Sequence, residues 1–131
     1  MRALLDTNAY VALRRGNPEV VDGVRRSSRV LLSAIVVGEL MDGFHGGSRL
    51  KENIRLLEET ARGPNVEVLA VAWSTSEWFG RISSGLRRAG TPIPTNDVWI
   101  AAHAMEHGAT VLTADAHFDK VPGLVVVRFR P

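Results

Sequence analysis

Short apolar runs separated by longer amphipathic segments set the pattern of this chain. The first run, Arg2–Leu5, reads as a buried strand, and the polar Asp6-Thr7-Asn8 behind it supplies an N-cap signal for a helix through Val11, Ala12 and Leu13. Gly16-Asn17-Pro18 interrupts that helix. A second helix starts at Pro18, carries Val20, Val21 and Val24 at near-helical spacing, and ends in the basic stretch Arg25–Arg29 before a strand at Val30-Leu31-Leu32. Ser33 caps a third helix with an apolar stripe of Ile35, Val36, Leu40 and Phe44; Glu39 falls on the flank of that stripe, so its carboxylate is predicted to point inward. Gly46-Gly47-Ser48 closes this helix, Leu50–Arg62 forms the next, and Gly63-Pro64-Asn65 turns into a strand at Val66–Val71. Trp78, Ile82 and Leu86 mark a helix that ends near Gly90. The loop Thr91-Pro92-Ile93-Pro94 is too rich in proline to be helical and leads to Thr95 or Asn96 as the next N-cap, which puts Asp97 in a first helical turn. Val98–Glu106 is an almost wholly apolar helix, with Gly108 in the position that favours a left-handed residue. A strand at Thr110–Leu112, a short helical turn over Asp115–Asp119, a break at Pro122-Gly123 and a final buried strand at Leu124–Val127 complete the chain.

Strands alternating with helices imply parallel pairing, because each parallel connection needs a crossover. The fold class is therefore α/β, with a central, mainly parallel sheet of four or five short strands. The 131 residues fit one domain, 1–131. No glycine-rich loop follows the first strand, which excludes a dinucleotide fingerprint and a P-loop. There is no cysteine, so disulfide scaffolds, zinc–thiolate sites and thiol catalysis are excluded. The N-terminal apolar run is too short for a signal peptide, and no run approaches the roughly 20 residues of a membrane span. A cytoplasmic protein without membrane association is the expectation. Net charge is only +2, but apart from Lys51 and Lys120 every strong base is arginine. Doublets such as Arg14-Arg15, Arg25-Arg26 and Arg87-Arg88 could meet phosphates, but they read first as solvated helix faces, and charge alone does not establish a nucleic-acid partner.

Four of the apolar runs end at or lead into one acid each: Asp6, Glu39, Asp97 and Asp115. Acids at strand ends and helix starts converge in space when a parallel sheet forms. Two carboxylates ~4 Å apart repel by about 4 kcal/mol at an effective dielectric near 20, so a cluster of them calls for a cation. Mg²⁺ and Mn²⁺ prefer oxygen donors and handle phosphates. Taken singly, Asp6, Asp97 and Asp115 also read as local helix caps; Glu39, within an apolar helix, needs a partner if its head group is buried.

In order along the chain, Leu4-Leu5-Asp6-Thr7-Asn8, Glu39-Leu40-Met41-Asp42-Gly43, Thr95-Asn96-Asp97-Val98-Trp99-Ile100-Ala101-Ala102, Leu112-Thr113-Ala114-Asp115 and Phe118-Asp119-Lys120-Val121-Pro122-Gly123-Leu124 resemble the motifs of PIN-domain ribonucleases. Within that group the chain resembles the VapC toxins of type II toxin–antitoxin pairs, over essentially its whole length. The resemblance implies a three-layer α/β/α fold and a metal-dependent endoribonuclease in which Asp6, Glu39, Asp97 and Asp115 hold one or two Mg²⁺ ions, with Mn²⁺ as a substitute. Thr7 and Thr113 match hydroxyl positions beside these acids, Asn8 and Asn96 are further site candidates, and Asp119, one helical turn past Asp115, either substitutes for it or adds to it. Water would attack the RNA phosphodiester in line, with Asp97 or Asp115 orienting it and Arg14 and Arg15 as candidates for holding the RNA backbone. The resemblance also implies a VapB-like antitoxin partner and a homodimer joined through helices, to which Phe44, Trp73, Trp78 and Phe79 are candidate contributors. Such a scaffold can also serve as a catalytically silent RNA-binding or regulatory module.

Two other patterns compete. His103-Ala104-Met105-Glu106-His107 matches the H-x-x-E-H signature of one class of zinc proteases, but it fills the last turn of a helix and only 24 residues follow. A receiver or aspartyl-phosphate fold also places acids at strand ends. It expects a further acid next to the first aspartate or a lysine after a late strand, whereas Asp6 precedes Thr7 and Asn8, and Lys120 lies beyond the Asp115 turn. His45 and His117 stand beside loops and are expected to be solvated.

Overall fold

A computed structural model describes residues Met1–Pro131. Five strands, β1 (Arg2–Leu5), β2 (Arg29–Ser33), β3 (Val66–Leu69), β4 (Thr110–Thr113) and β5 (Val125–Arg128), form one sheet in the order β3-β2-β1-β4-β5. All four pairings are parallel. Helices α1 (Thr7–Arg14), α2 (Pro18–Arg25), α3 (Ala34–His45), α4 (Leu50–Ala61), α5 (Trp73–Arg88) and α6 (Thr95–His107) supply the crossovers. The chain builds outward from β1 through β2 to β3, then returns to the other side of β1 for β4. This reversal places a topological switch point between β1 and β4, where the carboxyl ends of parallel strands leave an opening.

The central strands are the most apolar and the best buried. Leu4 and Leu5 of β1 and Val111 of β4 are closed to solvent, as expected of strands covered on both faces. The edges depart from the sequence expectation. The last strand was expected to be buried, but β5 has a neighbour on one side only, and Val125 is 59% exposed. Its valines reflect β-propensity as much as burial. The third strand stops at Leu69 rather than Val71, because the backbone turns at Ala72 into α5, where the Ala72 N–H donates to Thr75 Oγ1 at 3.0 Å. Neither Thr95 nor Asn96 caps α6; the extended Pro94 precedes its first turn, leaving the Asn96 side chain free for another task. Gly108 closes α6 with φ of +61°, the left-handed conformation that glycine adopts without a Cβ clash. No helix is long and apolar enough to cross a membrane.

The aromatic residues divide between packing and surface. Phe79 of α5 stacks on Trp99 of α6 with ring centroids 4.0 Å apart, and Phe44 and Trp78 pack partly buried against the core. Trp73 is 84% exposed.

His103 explains the zinc-protease match in another way. Its ring is fully buried, with Nε2 3.1 Å from the Ala70 carbonyl and Nδ1 2.8 Å from Ser33 Oγ. A carbonyl only accepts, so Nε2 carries the proton and Nδ1 accepts from the Ser33 hydroxyl. Ser33 Oγ in turn accepts the Ile35 N–H and caps α3. Burial holds the His103 pKa below the ordinary imidazole range. With both nitrogens engaged, this imidazole clamps the helix bearing Asp97 to the cap of the helix bearing Glu39. Truncation in His103→Ala would leave a cavity, the Ser33 hydroxyl without its acceptor and the Ala70 carbonyl without its donor. The expected cost is about 2–4 kcal/mol in urea unfolding, and a midpoint equal to wild type would refute the clamp.

Candidate metal centre

The four acids reach the opening at the switch point from four separate elements. Asp6 follows β1, Asp115 follows β4, Asp97 sits in the first turn of α6, and Glu39 lies midway along α3. Together with Thr7, Asn8 and Ile100 they line a single pocket of about 230 Å³.

Asp6 is the most enclosed, at 5% exposure. Its Oδ1 accepts the Ala9 N–H at 2.8 Å and so caps α1, while its Oδ2 accepts the hydroxyl of Thr113 at the end of β4. Burial pushes its carboxyl up to about 6, against the ordinary value near 3.8; the Asp97 and Asp115 charges add to the rise, and the Thr113 and Ala9 hydrogen bonds oppose it. Asp115 uses its atoms in the same divided way, Oδ1 accepting the His117 N–H at 2.8 Å to cap the following 3₁₀ turn, Ala116–Lys120. Its own N–H donates to Thr113 Oγ1 at 2.9 Å. Thr113 therefore ties the two aspartates together across adjacent strands. Burial also raises the Asp97 carboxyl, reinforced by Asp115 and opposed by a hydrogen bond from His117. Glu39 is oriented by two donors, the Thr7 hydroxyl to Oε1 at 2.6 Å and the Asn96 amide to Oε2 at 3.3 Å.

Two expectations need correction. His117 was expected to be solvated beside its loop, yet Nδ1 lies 3.1 Å from Asp115 Oδ2 and 3.3 Å from Asp97 Oδ2, with the side chain 42% exposed. Asp119 does not line the pocket; its carboxylate pairs with Arg128 at 2.7 Å. The helical turn after Asp115 is a 3₁₀ turn with three residues per repeat, so a residue four positions on points about 120° away instead of returning to the same face. His45 ends α3 on an exposed position, as expected. Of the two candidate arginines, neither lines the acidic pocket. Arg15 lines an adjoining cavity of about 540 Å³ that shares Asn8 with it, and Arg14 lies farther along, facing a second cavity with Tyr10 and Phe44.

The donor chemistry fits a hard divalent cation. Carboxylate oxygens from four elements face one another, and two of the acids are held above their ordinary range by burial and mutual repulsion, the condition that a cation relieves. Asp97, Asp115 and His117 each offer a ligand atom within 4.8 Å of the others.

Comparison with known proteins agrees with this geometry. The PIN domain family model matches residues 3–124. The chain is 30% identical over 114 residues to Ribonuclease VapC1 of Haemophilus influenzae, covering 84% of each protein. It is 30% identical over 128 residues to Ribonuclease VapC4 of Mycobacterium tuberculosis, covering 96% of this chain and 95% of that one. The structure of VapBC-1 from nontypeable Haemophilus influenzae superposes with a TM-score of 0.86 at 28% identity, covering 98% of both chains. On sequence, fold and the convergence of its acids, the chain belongs to the PIN domain family and, within it, to the VapC ribonucleases.

Proposed function

We propose that residues 1–131 form a single PIN-like nuclease domain that hydrolyses RNA phosphodiester bonds with the help of Mg²⁺ or Mn²⁺, as the toxin of a VapBC-type pair. The observation that carries this reading is the convergence of Asp6, Glu39, Asp97 and Asp115 on one pocket, in a chain whose relatives from Haemophilus influenzae and Mycobacterium tuberculosis are named ribonucleases. These four acids are the residues that would hold the cation. A bound divalent ion supplies positive charge for the phosphate and lowers the pKa of water, so no protein nucleophile is needed. The Ala9 N–H holds Asp6 Oδ1 and the Thr113 hydroxyl holds its Oδ2, while Thr7 and Asn96 fix both oxygens of Glu39. Asp97 and Asp115, both less enclosed than Asp6, are the candidates to orient the attacking water. Arg15, beside the neighbouring cavity, is the candidate to receive an RNA phosphate, which predicts binding that weakens with salt.

The partner proposed is a VapB-like antitoxin, in keeping with the fold match to VapBC-1, and an arginine of that partner would suit the acidic pocket. A homodimer would cover the exposed Trp73. An RNA substrate goes with a cytoplasmic location. The test is cleavage of assorted RNAs with and without Mn²⁺ by the purified protein and by Asp97→Asn. The variant should lose on the order of 10²-fold or more in rate. Undiminished cleavage would remove the site assignment, and RNA binding without cleavage by the wild type would favour a silent module.

A further inference from the structure

We infer that His117 is a nitrogen ligand of this centre, and that it tilts the site toward Mn²⁺ over Mg²⁺. The inference rests on the cation reading above and adds a donor to it. His117 Nδ1 stands 3.1 Å from Asp115 Oδ2 and 3.3 Å from Asp97 Oδ2. An octahedral ion with bonds of about 2.1 Å keeps adjacent ligand atoms about 3 Å apart, so the imidazole nitrogen stands from each of the two carboxylate oxygens at close to the spacing of neighbouring ligands, and all three ligand atoms lie within 4.8 Å of one another. The imidazole is not placed there by chance rotation. Its own backbone N–H is held by Asp115 Oδ1 at 2.8 Å, and the next residue, Phe118, anchors the turn with 1% exposure. His117 is thus swung over the side of Asp97 and Asp115, bordering the pocket lined by Asp6 and Glu39.

A nitrogen donor changes which ion binds best. Mg²⁺ favours oxygen ligands and gives up its waters reluctantly, whereas Mn²⁺, which also takes oxygen donors, is a first-row transition ion and accepts an imidazole nitrogen more readily than Mg²⁺ does. With His117 in the set, Mn²⁺ gains more than Mg²⁺.

The experiment is pulsed electron paramagnetic resonance on the Mn²⁺-loaded full chain, run beside calorimetric titrations with Mn²⁺ and with Mg²⁺. Wild type is expected to show histidine nitrogen coupling to the manganese, replaced by the ¹⁵N pattern after histidine-selective labelling. In His117→Gln the coupling should vanish. Mn²⁺ affinity should fall on the order of tenfold, with Mg²⁺ affinity changing much less. Because the His117 side chain is partly exposed, the substitution leaves the core intact, and circular dichroism checks that it does. Manganese that binds wild type without nitrogen coupling, or coupling that survives in His117→Gln, overturns the ligand while leaving the carboxylate centre standing. Absence of any Mn²⁺ or Mg²⁺ binding overturns both.

Discussion

Replacing Asp6 by asparagine should stabilise the cation-free protein at pH 7 while abolishing RNA cleavage. The Asp6 carboxyl is pushed up to about 6 in the folded chain, from an ordinary value near 3.8, mainly by burial. Between those two values the folded state holds a proton that the unfolded state has lost, so stability falls as pH rises. The favourable contribution is complete below about pH 3.8 and is lost by the time pH has passed through 6. At about 1.4 kcal/mol per pH unit the difference amounts to about 3 kcal/mol at neutral pH. Asparagine removes the buried charge and keeps the oxygen that accepts the Ala9 N–H, at the cost of the charge-assisted bond from Thr113. A net gain of about 1–3 kcal/mol at pH 7, shrinking toward zero near pH 4, is the expected outcome of urea unfolding with a chelator present. A variant less stable than wild type at pH 7 would contradict it. Mechanistically, the folded chain accepts destabilisation at one point in order to keep a negative charge ready for a cation.

A divalent cation should reverse that destabilisation. Binding to the folded state alone adds about 2.7 kcal/mol at an ion concentration 100 times the dissociation constant. For a chain of this length that corresponds to a rise of roughly 8–11 °C in Tm. The increment should grow as pH rises through 6, because a protonated Asp6 must lose its proton before it can serve the ion. Scanning calorimetry with Mn²⁺ from pH 5 to pH 8 measures it. In Asp97→Asn the increment should be largely gone, because Asp97 lines the pocket and also pairs with His117. An equal rise in wild type and variant would place the ion elsewhere.

Much of this centre could be read from the residues, for a physical reason. Each acid stands directly behind an apolar strand or inside an apolar helix, so the pattern that builds the sheet also brings the acids together. The cap reading leaves room for the site reading at Asp6 and Asp115, since each carboxylate gives only Oδ1 to a helix start, while Asp6 Oδ2 accepts the Thr113 hydroxyl and Asp115 Oδ2 faces His117. Thr7 and Thr113 stood beside their acids in the chain, and they bond Glu39 and Asp6, partners that no local pattern reveals. His117 was missed because a histidine beside a loop has no periodicity to mark it. The available signal was its place two residues after Asp115, where a capping aspartate folds the chain so that the second residue lies over its carboxylate. Asp119 is one turn past Asp115 only if the segment is α-helical; in the 3₁₀ turn the chain actually forms, its carboxylate pairs with Arg128 instead of reaching the pocket. The burial of β5 depended on strand order, which is a property of the whole sheet. Local composition cannot carry it.

The decisive measurement is one Mn²⁺ titration in which ion binding and cleavage of an end-labelled RNA are followed on the same samples of wild type, Asp6→Asn and Asp97→Asn. Cleavage by wild type should rise with occupancy of the ion, at a common midpoint, while both variants stay near the background rate across the range. Cleavage that proceeds in excess chelator, or that both variants retain in full, would show that the pocket formed by Asp6, Glu39, Asp97 and Asp115 is not where RNA is cut.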